Sequence, residues 1–129
     1  MAKHILKKTN RKVAIKVAGT GVTETITLAT DCKGAGETLL ESQSVEIVSV
    51  RWTGAPDATA TITRDGTTIL VLQANAAGDF DMSDAEYQDS VNSGDDIVVT
   101  TTGEMQVYLL LRKAAGYFID DPQQYSALP

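Results

Sequence analysis

Five acidic side chains fall between positions 79 and 89, at Asp79, Asp81, Asp84, Glu86 and Asp89. Oxygen donors at such density are the raw material of a calcium site. The EF-hand template nevertheless fails: begun at Asp79, it puts its obligatory glycine on Asp84 and its bidentate glutamate on Ser90. The expectation is a solvated acidic loop with a helix cap. Ser83-Asp84-Ala85-Glu86 has capping-box spacing, in which the serine oxygen and the glutamate satisfy the first backbone donors. Carboxylates also adjoin at Asp95-Asp96 and Asp120-Asp121. Neighbours on an extended chain point to opposite faces, so Asp95 and Asp96 are poorly placed to share a proton. Glycosidase chemistry needs two carboxyls facing across a cleft, and the sequence singles out no such pair. Cys32 is the only thiol and His4 the only imidazole. An internal disulfide and a multi-histidine metal site are therefore excluded. The sequence has no nucleophile elbow or phosphate loop, and Gly19-Thr20-Gly21 lacks the third glycine of a dinucleotide fingerprint. Trp52, at a strand end, reads as a core or rim anchor rather than a sugar platform. The expectation is a protein that is not an enzyme and takes no cofactor, metal or small-molecule substrate.

The charge layout points to contact with a partner. Net charge is −6, yet residues 1–16 hold Lys3, Lys7, Lys8, Arg11, Lys12 and Lys16 and no acid. The other 113 residues hold 5 basic and 17 acidic side chains, a net of −12. Like charges repel along the start of the chain, so residues 1–11 are expected to form an extended or mobile arm suited to an acidic surface. Nucleic acid is the weaker candidate, because the arm has no aromatic to stack on bases and the acidic body repels a polyanion. At the other end, Tyr117, Phe118, Ile119, Tyr125 and Leu128 are large apolar groups in a stretch without strand or helix periodicity. Left exposed they would be a liability. They either fold back over a sheet edge or dock on a neighbour. The contact residues expected are thus Lys3, Lys7, Lys8, Arg11 and Lys12 at one end, and Tyr117, Phe118, Tyr125 and Leu128 at the other. No apolar stretch reaches the roughly 18–20 residues of a membrane helix, so no membrane partner is expected.

The elements that must position these groups are strands. Val13, Ile15 and Val17 alternate with Lys12, Ala14 and Lys16; Val22, Glu24, Ile26 and Leu28 alternate with threonines. These two segments are expected to pair as a hairpin across Gly19-Thr20-Gly21. Residues 31–44 read as a long loop. Strand signal resumes at Val45, with a parity switch at Ile47-Val48 that predicts a bulge, and a turn follows at 53–57. Ala58, Ala60 and Ile62 alternate with threonines as far as Arg64-Asp65-Gly66-Thr67, and Ile69–Leu72 comes next. Asp-Gly between two strand patterns predicts a two-residue hairpin with positive φ at both central positions. Asp79–Met82 could form a short strand, Ile97–Thr102 another, and a long last strand has Met105, Val107, Leu109 and Leu111 on one face and Gln106, Tyr108, Leu110 and Arg112 on the other. With 129 residues, the chain fits one domain. The fold expected is all-β, a single β-sandwich, jelly-roll or immunoglobulin-like, over residues 12–113, with the basic arm 1–11 and a docking tail 114–129.

Several of these segments together resemble small virion structural proteins of tailed bacteriophages. They are Val50-Arg51-Trp52-Thr53-Gly54, Ala60-Thr61-Ile62-Thr63-Arg64-Asp65-Gly66 and Ile69-Leu70-Val71-Leu72, then Gly78-Asp79-Phe80-Asp81, Asp96-Ile97-Val98-Val99-Thr100 and Val107-Tyr108-Leu109-Leu110-Leu111-Arg112-Lys113. The likeness covers about half the chain and rests on β-structure rather than on chemistry. It implies a head protein, a decoration or cement protein on the capsid surface, with a neck or tail component as the alternative. It implies partners in the major capsid protein and in neighbouring copies of the chain, and a place in the virion after assembly in the host cytoplasm. It brings no catalytic residues. From another class, the rival is a carbohydrate-binding or adhesin-like virion module using Trp52 or the tyrosines.

Overall fold

A computed structural model describes residues 2–9, 11–74, 78–81 and 94–119. Nine strands account for most of them: β1 (Lys3–Lys8), β2 (Lys12–Thr20), β3 (Thr23–Ile26), β4 (Glu37–Gly54), β5 (Thr59–Arg64), β6 (Thr67–Gln73), β7 (Gly78–Asp81), β8 (Ile97–Thr102) and β9 (Glu104–Ile119). They form a five-stranded sheet, β1-β2-β9-β4-β7, and a four-stranded sheet, β3-β8-β5-β6. Every pairing is antiparallel. No helix among the described residues is long and apolar enough to cross a membrane.

The pairings are nested. β5 pairs with β6, β4 with β7, β3 with β8 and β2 with β9. This is one long hairpin, rolled up so that β9 also meets β4 and β8 also meets β5. The strand order is that of a jelly roll, with β1 added at one edge. The hairpin closes at Asp65-Gly66, with φ of 48° and 74°, as the Asp-Gly signal requires.

The alternation seen in the sequence fixes which faces meet. Val13, Ile15 and Val17 of β2, Met105, Val107, Leu109 and Leu111 of β9, and Val45, Ile47 and Val50 of β4 are buried. They pack against Ile26, Ala60, Ile62, Ile97 and Val99 of the other sheet. Between Ile47 and Ser49 the β4–β9 register shifts by one residue. This is the bulge that the parity switch predicts, and it keeps Val45, Ile47 and Val50 all inward. The next inward place on β5 after Ile62 belongs to Arg64, which is fully buried. Its guanidinium donates to the carbonyls of Val45 and Asp95 and ties the two sheets together at one end.

Four expectations need correction. β2 and β3 do not pair; they lie in different sheets, because the chain at Gly19–Val22 crosses from one layer to the other. The loop expected over 31–44 ends at Glu37, where β4 begins. Its pairing with β9 is interrupted, so that residues 40–43 bulge opposite Gly116. That bulge broke the alternation in both strands and hid them. Residues 114–119, read as the start of an aperiodic tail, continue β9 to Ile119. Lys3–Lys8 is a strand rather than a free arm, since its backbone donors and acceptors find partners on β2 and its lysines find acceptors on the body. Gly78–Asp81 is a short strand as expected. The capping box and the remainder of the acidic stretch lie outside the described residues.

Candidate docking surface

β1 carries three lysines in two roles. In an antiparallel pair, directly opposed residues share a face. Lys3 opposes Val17 and Lys8 opposes Val13, so both turn toward the sandwich interior. The Lys3 ammonium donates to Asp31 Oδ2 at 2.8 Å and to the Thr25 carbonyl at 2.9 Å. Lys8 donates to the Lys33 carbonyl at 2.8 Å. These two cations pin β1 across the edge of the second sheet and onto the 28–36 turn. The backbone shifts register between Ile5 and Lys7, and Lys7 therefore opposes Ala14 on the outer face.

The outer face of the five-stranded sheet collects the remaining cations. The register puts His4, Lys16, Tyr108 and Arg51 in one row across β1, β2, β9 and β4. A second row runs Lys7, Ala14, Leu110, Ser49, and a third Lys12, Arg112, Glu46. Lys16 lies over the Tyr108 ring at 5.6 Å, a cation–π contact. Arg112 pairs with Glu46, which neutralises the third row toward β4. At the β1–β2 margin the balance is cationic: Lys7, Lys12 and Arg11 are exposed. Lys7, Thr9, Lys12, Ala14 and Leu110 line a shallow cleft of about 180 Å³. Two ammonium groups flank its apolar floor of Ala14 and Leu110. A carboxylate on an aliphatic stem satisfies both.

Tyr117 makes internal contacts. Its hydroxyl donates to the Leu28 carbonyl at 2.6 Å, and its ring packs on the core and under the Lys113 ammonium at 4.9 Å. Lys113 in turn donates to Glu37 Oε1 at 2.6 Å, with the two side chains 2% and 4% exposed. The Gly34 amide donates to the same oxygen. Cys32 is fully buried beside this pair. Burial pushes its thiol up to about 11, and burial together with the neighbouring thiol raises the Tyr117 phenol as well. A thiol held protonated in this way is a packing group and a poor nucleophile at neutral pH. Phe118 pairs through its backbone with Thr38 on β4. Tyr125 and Leu128 lie outside the described residues.

The contact residues read from the sequence therefore separate. Lys7, Lys12 and Arg11 come together at the surface; Lys3, Lys8 and Tyr117 are spent on internal contacts. Lys16, Tyr108 and Arg51 share this outer face; Tyr108 and Arg51 are not among the contact residues expected from the sequence, although the outward parity of β9 and β4 places them there. Trp52 is half-buried against the core and its indole N–H donates to the Gln73 carbonyl at 3.1 Å, as suits an anchor. Among the described residues no group of His, Cys, Asp and Glu side chains is placed to hold a metal. Comparison with family models, with curated proteins and with solved structures found no match.

Proposed function

We propose that the chain is a structural virion protein of a tailed phage, a decoration or cement protein that docks on an acidic patch of the major capsid protein. The observation that carries the docking is the gathering of Lys7, Lys12 and Lys16 on one sheet face, with Arg11 exposed next to Lys12, on a chain whose residues 17–129 sum to −12. A cationic margin on an otherwise acidic chain favours approach to an acidic surface through that margin. The jelly roll supplies the rigid block, and the resemblance of its β-segments to phage virion proteins supports the capsid as the partner. The cationic groups sit on paired strands instead of a loose arm, so docking costs less ordering entropy than a free arm would.

Co-sedimentation of the full chain with purified phage heads tests this reading. Each exposed ion pair contributes about 0.2–1 kcal/mol, and reversing a charge adds repulsion to the loss. Lys7→Glu with Lys12→Glu is expected to weaken binding about tenfold or more at low salt, and added salt should weaken the unmodified chain in the same direction. Equal binding by the double variant refutes the docking face.

A further inference from the structure

Each sheet has two edges, and three of the four are blunted against pairing with another chain. β1 carries Lys3, His4, Lys7 and Lys8 and a register shift at its centre. β3 is four residues long, carries Glu24, and has its Thr25 carbonyl taken by Lys3. β7 is four residues long and contains Asp79 and Asp81. Short length, charge and bulges are the devices that keep sheet edges from templating new strands. β6 differs. It is seven residues long, Thr-Thr-Ile-Leu-Val-Leu-Gln, with no charge and no proline. Among the described residues it has a ladder partner on one side only, β5; of its edge-facing carbonyls, that of Gln73 accepts from the Trp52 indole, and those nearer Val71 are not taken by a side chain of the described residues. Its one irregularity, the extra Ile69, lies toward the hairpin end and leaves Leu70–Gln73 in regular register.

We propose that β6 is a self-association edge, where a second copy of this chain adds its own β6 antiparallel and joins two four-stranded sheets into one of eight strands. The register fixes the centre. The Ala74 amide donates to Ala58, so residues 72 and 74 direct their backbone groups at β5 and Val71 directs its own away. Val71 against Val71 of the second copy exchanges both N–H···O bonds. The two side chains then share one face, and each covers the other's apolar surface, which is 58% exposed in the single chain. The occupant follows from the charges. Two chains of net −6 repel wherever acids or cations of like sign face each other. The outer face of this sheet presents Thr23, Thr25, Thr59, Thr61, Thr63, Thr100 and Thr102 with Val71 and Val98, and no charged group among its described strand residues. An antiparallel strand pair is its own two-fold complement, so identical edges meet without a separate partner surface. The edge lies on the sheet away from the cationic docking face, and the proposal stands independently of what that face binds.

Sedimentation equilibrium of the full chain, from low micromolar to several hundred micromolar, tests the pairing. The unmodified chain is expected to shift from monomer to dimer across this range. Val71→Lys places two ammonium groups face to face and should leave a monomer throughout, with an unchanged circular dichroism spectrum because the side chain is already exposed. Val71→Cys should form a disulfide-linked dimer on mild oxidation, and Val98→Cys, on the same face but on an interior strand, should not; Cys32 is buried and does not compete. A chain that stays monomeric at the highest concentration overturns the proposal. So does a dimer that survives Val71→Lys.

Discussion

Lys113→Met keeps the aliphatic stem of the lysine and deletes its charge. In the folded chain that charge makes one hydrogen bond to Glu37 Oε1 and sits 4.9 Å from the Tyr117 ring. A charge-assisted hydrogen bond contributes about 1.5–3 kcal/mol, and a desolvated cation–π contact up to about 2 kcal/mol. The sum, roughly 2–5 kcal/mol, overlaps the roughly 3–5 kcal/mol generally lost when one partner of a buried ion pair is removed. Glu37 has no spare partner: its Oε2 is buried with no hydrogen bond among the described residues, and only the Gly34 amide remains for Oε1. Urea unfolding at neutral pH measures the loss directly. The companion variant decides the cause. Lys113→Met with Glu37→Gln removes the stranded charge, keeps an acceptor for Gly34, and should recover about 2 kcal/mol or more relative to Lys113→Met alone. A loss below about 1 kcal/mol for Lys113→Met refutes the reasoning, because the pair would then behave as an exposed one does. A double variant no more stable than the single refutes it equally, because the damage would then be packing rather than charge.

Three other expectations follow from the same geometry. Arg64→Met leaves the Val45 and Asp95 carbonyls without their donor at the end of the sandwich, and should cost about 2–4 kcal/mol in the same urea assay. Gly116→Ala should cost about 2 kcal/mol or more: φ is +90° there, and a Cβ would strike the Ser42 carbonyl and the Gln43 Cα. Cys32 holds its proton more tightly folded than unfolded, so the stability this gives is whole below about pH 9 and is lost as pH rises toward about 11. The unmodified chain should therefore lose roughly 2–3 kcal/mol between pH 8.5 and 11, Cys32→Ala should flatten part of that slope, and a thiol reagent at pH 8 should react only after unfolding.

The residues differ in how far their sequence context announces them. Wherever one strand face is buried and the other wet, side-chain period and burial coincide. Thus β2, β5, β8 and the first half of β9 are legible from alternation, and the Asp65-Gly66 turn from its need for positive φ. Where the ladder bulges, the period breaks. The passage of β4 through residues 40–43 and of β9 past Gly116 then looks like loop and tail, although both continue the sheet. Arg64 stands at an inward position by parity, yet a lone cation next to a turn gives no sign that two carbonyls from other elements wait for it.

Charge is legible as composition and hidden as geometry. Six cations and no acid in residues 1–16 are plain in the sequence. Which of them meet a partner depends on acceptors far along the chain: Asp31, Thr25 and Lys33 draw in Lys3 and Lys8, and a one-residue register shift turns Lys7 outward. The sequence by itself determined an all-β chain of half-buried strands, because the period of a strand is local and every residue carries it. The tertiary structure alone decided the order of strands in the two sheets, the burial of the Glu37–Lys113 pair and the placing of β6 at a sheet edge. Those are set by which distant segments compete for the same backbone partners, and no window of sequence contains that competition.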